Sequence, residues 1–319
     1  MKGYRETVRQ IIAGQRFDAI LCHHPLPLWC VAERLPTAIP VVSVFHSPWP
    51  EEYRVMHGRA ATPWGRAVRT WVESEAMARS DRVVALSGYM RDELEGRYPA
   101  CQEKSSVIPG GVDLARFPFH PDTAAARAAV ADLVRLPPSA FWVLTVRRLV
   151  PRTGVDGLIA AVARIAPDAP DLRLVVAGTG PLEAEYRRLA AARGLADRIV
   201  FTGFVPSERL PALYGAADLF VLPSRALEGF GLATLEAMAA GTPALATPVG
   251  GIPEVLGPFG RDFLTTGWDD ASIAHALLGW YMRRAELAAL RASCRRYVEE
   301  RFSWDRMRSG IETLFKQLK

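Results

Sequence analysis

The chain has 319 residues, enough for two domains on ordinary size scaling. Half of the residues are hydrophobic and 23% are charged, a balance that fits a globular protein and excludes general disorder. The formal charge of +5 comes from arginine-rich, mixed-sign segments such as YMRRAELAALRASCRRYVEERFSWDRMRS, and neither zinc-finger spacing nor an RNA-binding aromatic motif turns it into a nucleic-acid signal.

The N-terminus, MKGYRETVRQIIAGQRFDAI, is charged and amphipathic, with no apolar core or cleavage site, so it does not read as a signal peptide. No stretch has the apolar length of a transmembrane helix. Cys22, Cys30, Cys101 and Cys294 are dispersed, without zinc-like spacing or a disulfide framework. A cytoplasmic protein is expected, with peripheral contact at the inner membrane face left open.

Residues 1–125 predict an incomplete N-terminal Rossmann-like domain. Its strands fall at 17–24 (FDAILCHH), 40–47 (PVVSVFHS), 81–87 (DRVVALS) and 105–111 (SSVIPGG), with helices between them. No glycine-rich strand-to-helix turn opens this part, although a phosphate-binding Rossmann half normally begins with one. A linker rich in alanine and proline, FPFHPDTAAARAAVADLVRLPP, follows.

Residues 138–300 alternate apolar strands with single helices: FWVLTV (141–146), LRLVVAG (172–178), RIVFTG (198–203), LFVLPS (219–224) and PALATP (243–248). Strands apolar on both faces predict a parallel sheet covered on both sides, in a doubly wound α/β domain whose ligand lies at the strands' C-terminal ends. Residues 301–319 predict a final helix able to pack back on the first domain.

The densest chemistry lies in ALEGFGLATLEAMAAG, residues 226–241. Glu228 follows a strand end and precedes a helix predicted over 230–240. The amides of Phe230, Gly231 and Leu232 then lack intrahelical acceptors, and with the helix dipole they make an anion site suited to a diphosphate. Gly229 and Gly231 let a ligand approach the backbone. Glu236 lies about 7–9 Å further along, which matches the reach from a diphosphate to a ribose. On spacing alone, Glu236 could equally reach only solvent.

The segment PSRALEGFGLATLEAMAAGTPALATPVGGIPEVL closely resembles the signature of the GT4-type retaining glycosyltransferases, which have the GT-B fold of two facing Rossmann domains. The resemblance extends through LTVRRLVPRTGVDGLIAA, RLVVAGTGPLEAEYRRLA, IVFTGFVPSERLPALYGAADLFVLPS and VIPGGVDLARF, essentially the whole chain from about residue 17. It implies that Glu228 contacts the donor-sugar hydroxyls and Glu236 the ribose. Phe230, Gly231 and Leu232 would offer backbone contacts, and Val205 would lie near the base. Arg148 matches the family arginine that grips the β-phosphate, a role suited to a guanidinium. His46 matches the histidine that points at the donor sugar.

The family usually places a lysine just before the glycine of the arginine loop, and here that residue is Thr153. Arg147 and Arg152 read either as surface arginines or as substitutes for the missing charge. His23 and His24 are open between the acceptor side and a structural role. Ser87 and Gly110–Asp113 read as structural, and Gly178 and Gly180 as a tight strand-to-helix turn.

No Asp-x-Asp or His/Cys cluster presents metal ligands, so no cofactor or metal is expected beside the nucleotide-sugar donor. The expected function is retaining transfer of a sugar, hexosyl in kind, to the hydroxyl of a glycan, lipid or small molecule. Glu228 is not assigned as a covalent nucleophile. Family members open with a strand, glycine-rich loop and helix, and this sequence starts after that region, so the expectation is that either the true start lies upstream or the protein is a truncated form. A catalytically silent nucleotide-binding remnant or partner subunit is therefore an alternative, and a nucleotide-sugar epimerase a more distant one.

Overall fold

The computed structural model describes residues 2–318. Among them, nine strands form two wholly parallel sheets. The chain groups into one unit up to Pro109, rejoined from Met307 onward, and a second unit over Gly110–Arg306.

The first sheet has the order β1-β2-β3-β4, from Ile20–Cys22, Val41–Phe45, Arg82–Ala85 and Ser105–Val107. In-register pairs such as Leu21–Val42, Val44–Val84 and Ala85–Val107 fix it. Its core gathers Val41, Phe45, Val83 and Ala85 against Leu28, Met77, Leu94 and Tyr98.

These strands are shorter than the apolar runs suggest. β1 stops at Cys22 because His24 caps the next helix, Pro25–Val31, accepting from the Leu26 amide at 3.2 Å. β4 stops at Val107, two residues before Pro109, which has no amide hydrogen for a ladder.

The second sheet has the order β7-β6-β5-β8-β9, from Phe141–Val146 (β5), Leu172–Ala177 (β6), Ile199–Gly203 (β7), Leu219–Leu222 (β8) and Ala244–Ala246 (β9). The order reverses between β5 and β8, and that switch point is where a doubly wound sheet opens a crevice at its carboxyl edge. Helices Val155–Ile165 and Asp270–Met282 pack together, and their Leu158, Ile159, Val162, Ile273 and Leu277 join Val143, Leu174 and Val221 of the strands in one core.

Residues from 110 to the start of β5 belong to this second unit. Buried Arg127 holds them there, donating from Nε to the Ala216 carbonyl at 3.0 Å and from Nη2 to Asp218 at 2.6 Å. Asp218 Oδ2 also accepts from the Trp142 amide at 2.6 Å, which ties the pair to the start of β5.

Candidate active site

At the carboxyl edge of the second sheet, the loops after β5, β6 and β7 line a cavity of about 440 Å³. Arg147, Arg148, Gly178 to Gly180, Phe204, Val205 and Leu210 are among its lining residues. The Gly178 turn presses directly on the arginine loop. Its φ is +126°, and a Cβ there would fall 1.9 Å from the Arg147 carbonyl oxygen. Val205 is buried, whereas its neighbour Phe204 is 74% exposed beside the opening.

The arginine loop is ordered by its own backbone. The Arg147 amide donates to Ala177 at 2.8 Å and the Leu149 amide to Thr179 at 2.9 Å. Thr153, at the position of the expected lysine, is buried, and its hydroxyl lies 2.9 Å from the Arg148 carbonyl and 2.7 Å from that of Val150. It closes the turn rather than presenting a polar group to the cavity.

Arg147 is not a surface arginine. Its side chain is 10% exposed, and Nη2 donates to Glu228 Oε2 at 2.8 Å and to Ser224 Oγ at 3.0 Å. The Ser224 hydroxyl in turn donates to the same carboxylate oxygen at 2.7 Å. Arg148 is exposed at the cavity wall. Arg152 Nη1 donates to the Leu227 carbonyl at 3.2 Å, and its own carbonyl accepts from the Arg225 amide at 2.8 Å.

Leu227 is the one non-glycine residue with positive φ among the described residues, at +55°. An αL leucine beside a candidate acid is a strained backbone held by its surroundings. Those surroundings are Arg152 before it and, just after it, the Gly251 amide on the Glu228 carbonyl at 3.0 Å.

The helix after Glu228 runs over Leu232–Ala239, starting two residues later than the sequence pattern suggests. Gly231 explains the delay: with φ +81° it is the non-helical cap. The unpaired first-turn amides therefore start at Leu232, while those of Phe230 and Gly231 belong to the loop. The Phe230 ring is buried against Phe302, 5.8 Å between centroids, so only its backbone is available to a ligand.

Glu236 does not simply point into water. Buried Tyr214 donates to its Oε2 at 2.8 Å. Burial raises the Glu236 carboxyl above the ordinary glutamate range, opposed by the Tyr214 hydrogen bond and by Arg116.

His46 belongs to the first unit, at the residue after β2. Its Nε2 lies 3.1 Å from His23 Nδ1, and the two rings stack at 5.4 Å. Solvent reaches the ring, yet the packed protein around it lowers its pKa, and His23 lowers it further. His24 turns its edge to Trp49 at 5.1 Å. Beneath the Trp49 turn, buried Glu73 accepts from the Trp49 amide at 3.2 Å and from the Tyr98 hydroxyl at 2.5 Å. Ser87 is buried and caps helix Gly88–Arg97.

The structure thus gathers Arg148 and Val205 around one cavity, and Glu228, Gly231, Leu232 and Glu236 along one loop and helix, all in the second unit. Sequence reasoning did not anticipate the Arg147–Glu228 pair, the Tyr214–Glu236 bond, the His23–His46 pair or Glu73. An Arg-Arg doublet at a strand end was a usable signal, because successive residues there leave on opposite sides. No cluster of three or more potential metal ligands occurs among the described residues.

Family comparison agrees with this architecture. Residues 134–301 match the model of glycosyl transferases group 1, and residues 1–116 match that of glycosyltransferase family 4. The chain is 33% identical over 328 aligned positions to the D-inositol 3-phosphate glycosyltransferase of Streptomyces avermitilis, covering 98% of this chain and 68% of that protein.

Two solved structures extend the likeness. Sucrose-phosphate synthase of Thermosynechococcus elongatus superposes with a TM-score of 0.82 and 27% identity, over 99% of this chain and 77% of that one. Anabaena HepE, solved with UDP and glucose, gives a TM-score of 0.81 and shares the fold at 22% identity, over 98% and 81% of the two chains. The chain belongs to the group 1, family 4 glycosyltransferases and is a glycosyltransferase of the GT-B fold.

Proposed function

We propose that the protein transfers a sugar, with retention of anomeric configuration, from a nucleoside diphosphate donor to an acceptor hydroxyl. The observation that carries this reading is the array along one edge of the second sheet. An arginine-walled cavity, a helix start capped by an αL glycine, and two held carboxylates follow one another there.

In this reading Val205 lies near the base, and Glu236 accepts from the ribose hydroxyls. Arg148 and the amides at the start of Leu232–Ala239 meet the diphosphate, with Phe230 and Gly231 adding backbone contacts. Glu228 faces the donor sugar, and His46 keeps the role that the family resemblance gives it, a histidine directed at the sugar. The protein's contribution is positioning and stabilisation of the leaving diphosphate, without a covalent nucleophile.

The relative from Streptomyces makes inositol 3-phosphate the first acceptor to try, and UDP in the Anabaena neighbour makes UDP-glucose the first donor. The test is diphosphate release from UDP-glucose, GDP-mannose and ADP-glucose, with and without that acceptor, followed by NMR of the product's anomeric proton. Acceptor-dependent release with an axial linkage from an axial donor supports the proposal. Inversion, or donor conversion without an acceptor, contradicts it.

Because arginine and helix start carry the diphosphate charge in this reading, no metal is assigned, and chelation with EDTA leaves diphosphate binding unchanged. Contact with a membrane face is proposed for the first unit. Trp64, Val68 and Trp71 stand exposed on one stripe of helix Pro63–Ala78, and no helix among the described residues is long and apolar enough to cross a bilayer. Co-sedimentation with anionic vesicles, lost in Trp64→Ala/Trp71→Ala, tests that contact.

A further inference from the structure

We propose that Arg147 is a positioning residue for Glu228, acting through the carboxylate rather than on the donor diphosphate. This rests on the donor-site reading above and divides the work of two adjacent arginines.

Arg147 continues the β5–β6 ladder through its amide bond to Ala177, so its side chain and that of Arg148 leave the backbone on opposite sides. Arg147 reaches across to the loop after β8, where Nη2 meets both Glu228 Oε2 and Ser224 Oγ. Ser224 itself is fully buried and donates to the same oxygen. Two donors from two different strand ends therefore converge on one carboxylate oxygen.

Two further observations indicate that this geometry serves the carboxylate and not the arginine. Arg147 Nε is buried with no hydrogen-bond partner, so the guanidinium is left incompletely satisfied while Nη2 is directed at Glu228. The backbone next to Glu228 is also strained at Leu227, and Arg152 from the same arginine loop holds the Leu227 carbonyl. One loop thus fixes the acid twice, by side chain through Arg147 and by backbone through Arg152. A short glutamate on a strained loop otherwise has several rotamers, and transfer depends on one being held.

The chain also lacks a cation at Thr153, whose hydroxyl is turned into the loop. Arg147, committed to Glu228, does not replace that charge. The diphosphate then depends on Arg148 and the helix start.

The experiment uses the full chain. Calorimetry first identifies the tightest binder among UDP, GDP and ADP, and the matching sugar donor with inositol 3-phosphate gives kcat and KM. The variants are Arg147→Gln, Arg147→Lys, Ser224→Ala, Glu228→Gln and Arg147→Gln/Glu228→Gln, each checked for its melting temperature.

Arg147→Gln is expected to lower kcat by roughly ten- to a hundredfold while diphosphate affinity stays within about twofold, the signature of an interaction made in the transfer step. Arg147→Lys should recover part of the loss. Ser224→Ala, which removes a single hydroxyl, should show a smaller kcat loss of the same kind. The double variant should be no slower than Glu228→Gln alone, because both changes remove one coupled element.

Multiplicative losses in the double variant, or a more than roughly tenfold fall in diphosphate affinity for Arg147→Gln, would overturn the assignment. If Arg147→Gln does not fold, Ser224→Ala and Arg147→Lys still decide: normal kcat in both refutes it. If the unaltered chain binds none of the three diphosphates, the donor-site reading itself falls and takes this assignment with it. Normal binding with multiplicative losses breaks the assignment alone.

Discussion

The two units hold their polar groups by different means. In the second unit, Glu228 is gripped by Arg147 from another element and by Ser224 of its own loop, and Glu236 by Tyr214 of another helix. In the first unit, the buried acid Glu73 forms no ion pair among the described residues. It is met by the Trp49 amide and the Tyr98 hydroxyl, under the turn that follows His46. An acid held by a cation or hydroxyl at a sheet's carboxyl edge keeps its direction when a ligand arrives.

The largest expected effect lies outside both sites, in the ion pair that secures residues 110 onward to the second sheet. Asp218 meets Arg127 and the Trp142 amide, and Asp218→Ala leaves a buried guanidinium unpaired. The expected loss is about 3–5 kcal/mol of unfolding free energy. A urea midpoint unchanged in Asp218→Ala would show that this segment is held some other way.

Next is the pH dependence of the first unit. Burial raises the Glu73 carboxyl from an ordinary 4.5 to about 7, against the lowering effects of Tyr98, the Trp49 amide and Arg97, with Glu52 raising it slightly. Between those two values the folded chain keeps a proton that the unfolded chain has released. The Glu73 contribution to stability is therefore greatest below the unfolded value and falls as pH rises through the interval to about 7, then levels off. The change is on the order of 3 kcal/mol, and Glu73→Gln should flatten it. Thermal melts of both proteins from acid to neutral pH check this, and parallel slopes would contradict it.

A smaller effect is expected at Tyr214. Tyr214→Phe removes one hydrogen bond from the half-buried Glu236 and leaves the ring in its aromatic cluster with Phe117 and Phe220. The expected cost is about 1 kcal/mol in nucleotide binding, read as a roughly fivefold weaker Kd by calorimetry. Unchanged affinity would detach Tyr214 from the ligand-facing role of Glu236.

The same contrast explains how much was legible in the sequence. All nine strands fall inside the apolar runs, and β5 matches its run residue for residue. The shortfalls cluster where local chemistry outweighs hydrophobicity: at His24, which leaves the strand to cap a helix, and at Pro109, which cannot extend a ladder. Glu228, Glu236 and Arg148 were visible because they lie in short motifs at fixed spacing. Arg147–Glu228 is a contact between residues 81 apart, and Tyr214–Glu236 between residues 22 apart, so neither pairing has a local pattern. Thr153 was visible as a departure from the family pattern, but only its hydrogen bonds show that it closes the loop.

The central claim is that a nucleoside diphosphate sugar lies along the second sheet's carboxyl edge, ribose at Glu236 and sugar at Glu228. The most direct test is calorimetric titration of the full chain, Glu236→Gln and Glu228→Gln with UDP, GDP and ADP. The account predicts that at least one diphosphate binds the unaltered chain. Glu236→Gln should weaken that binding by about 1.5–3 kcal/mol, while Glu228→Gln leaves it nearly unchanged and loses transfer. Equal loss of diphosphate affinity in the two variants, or no binding to the unaltered chain, would contradict it.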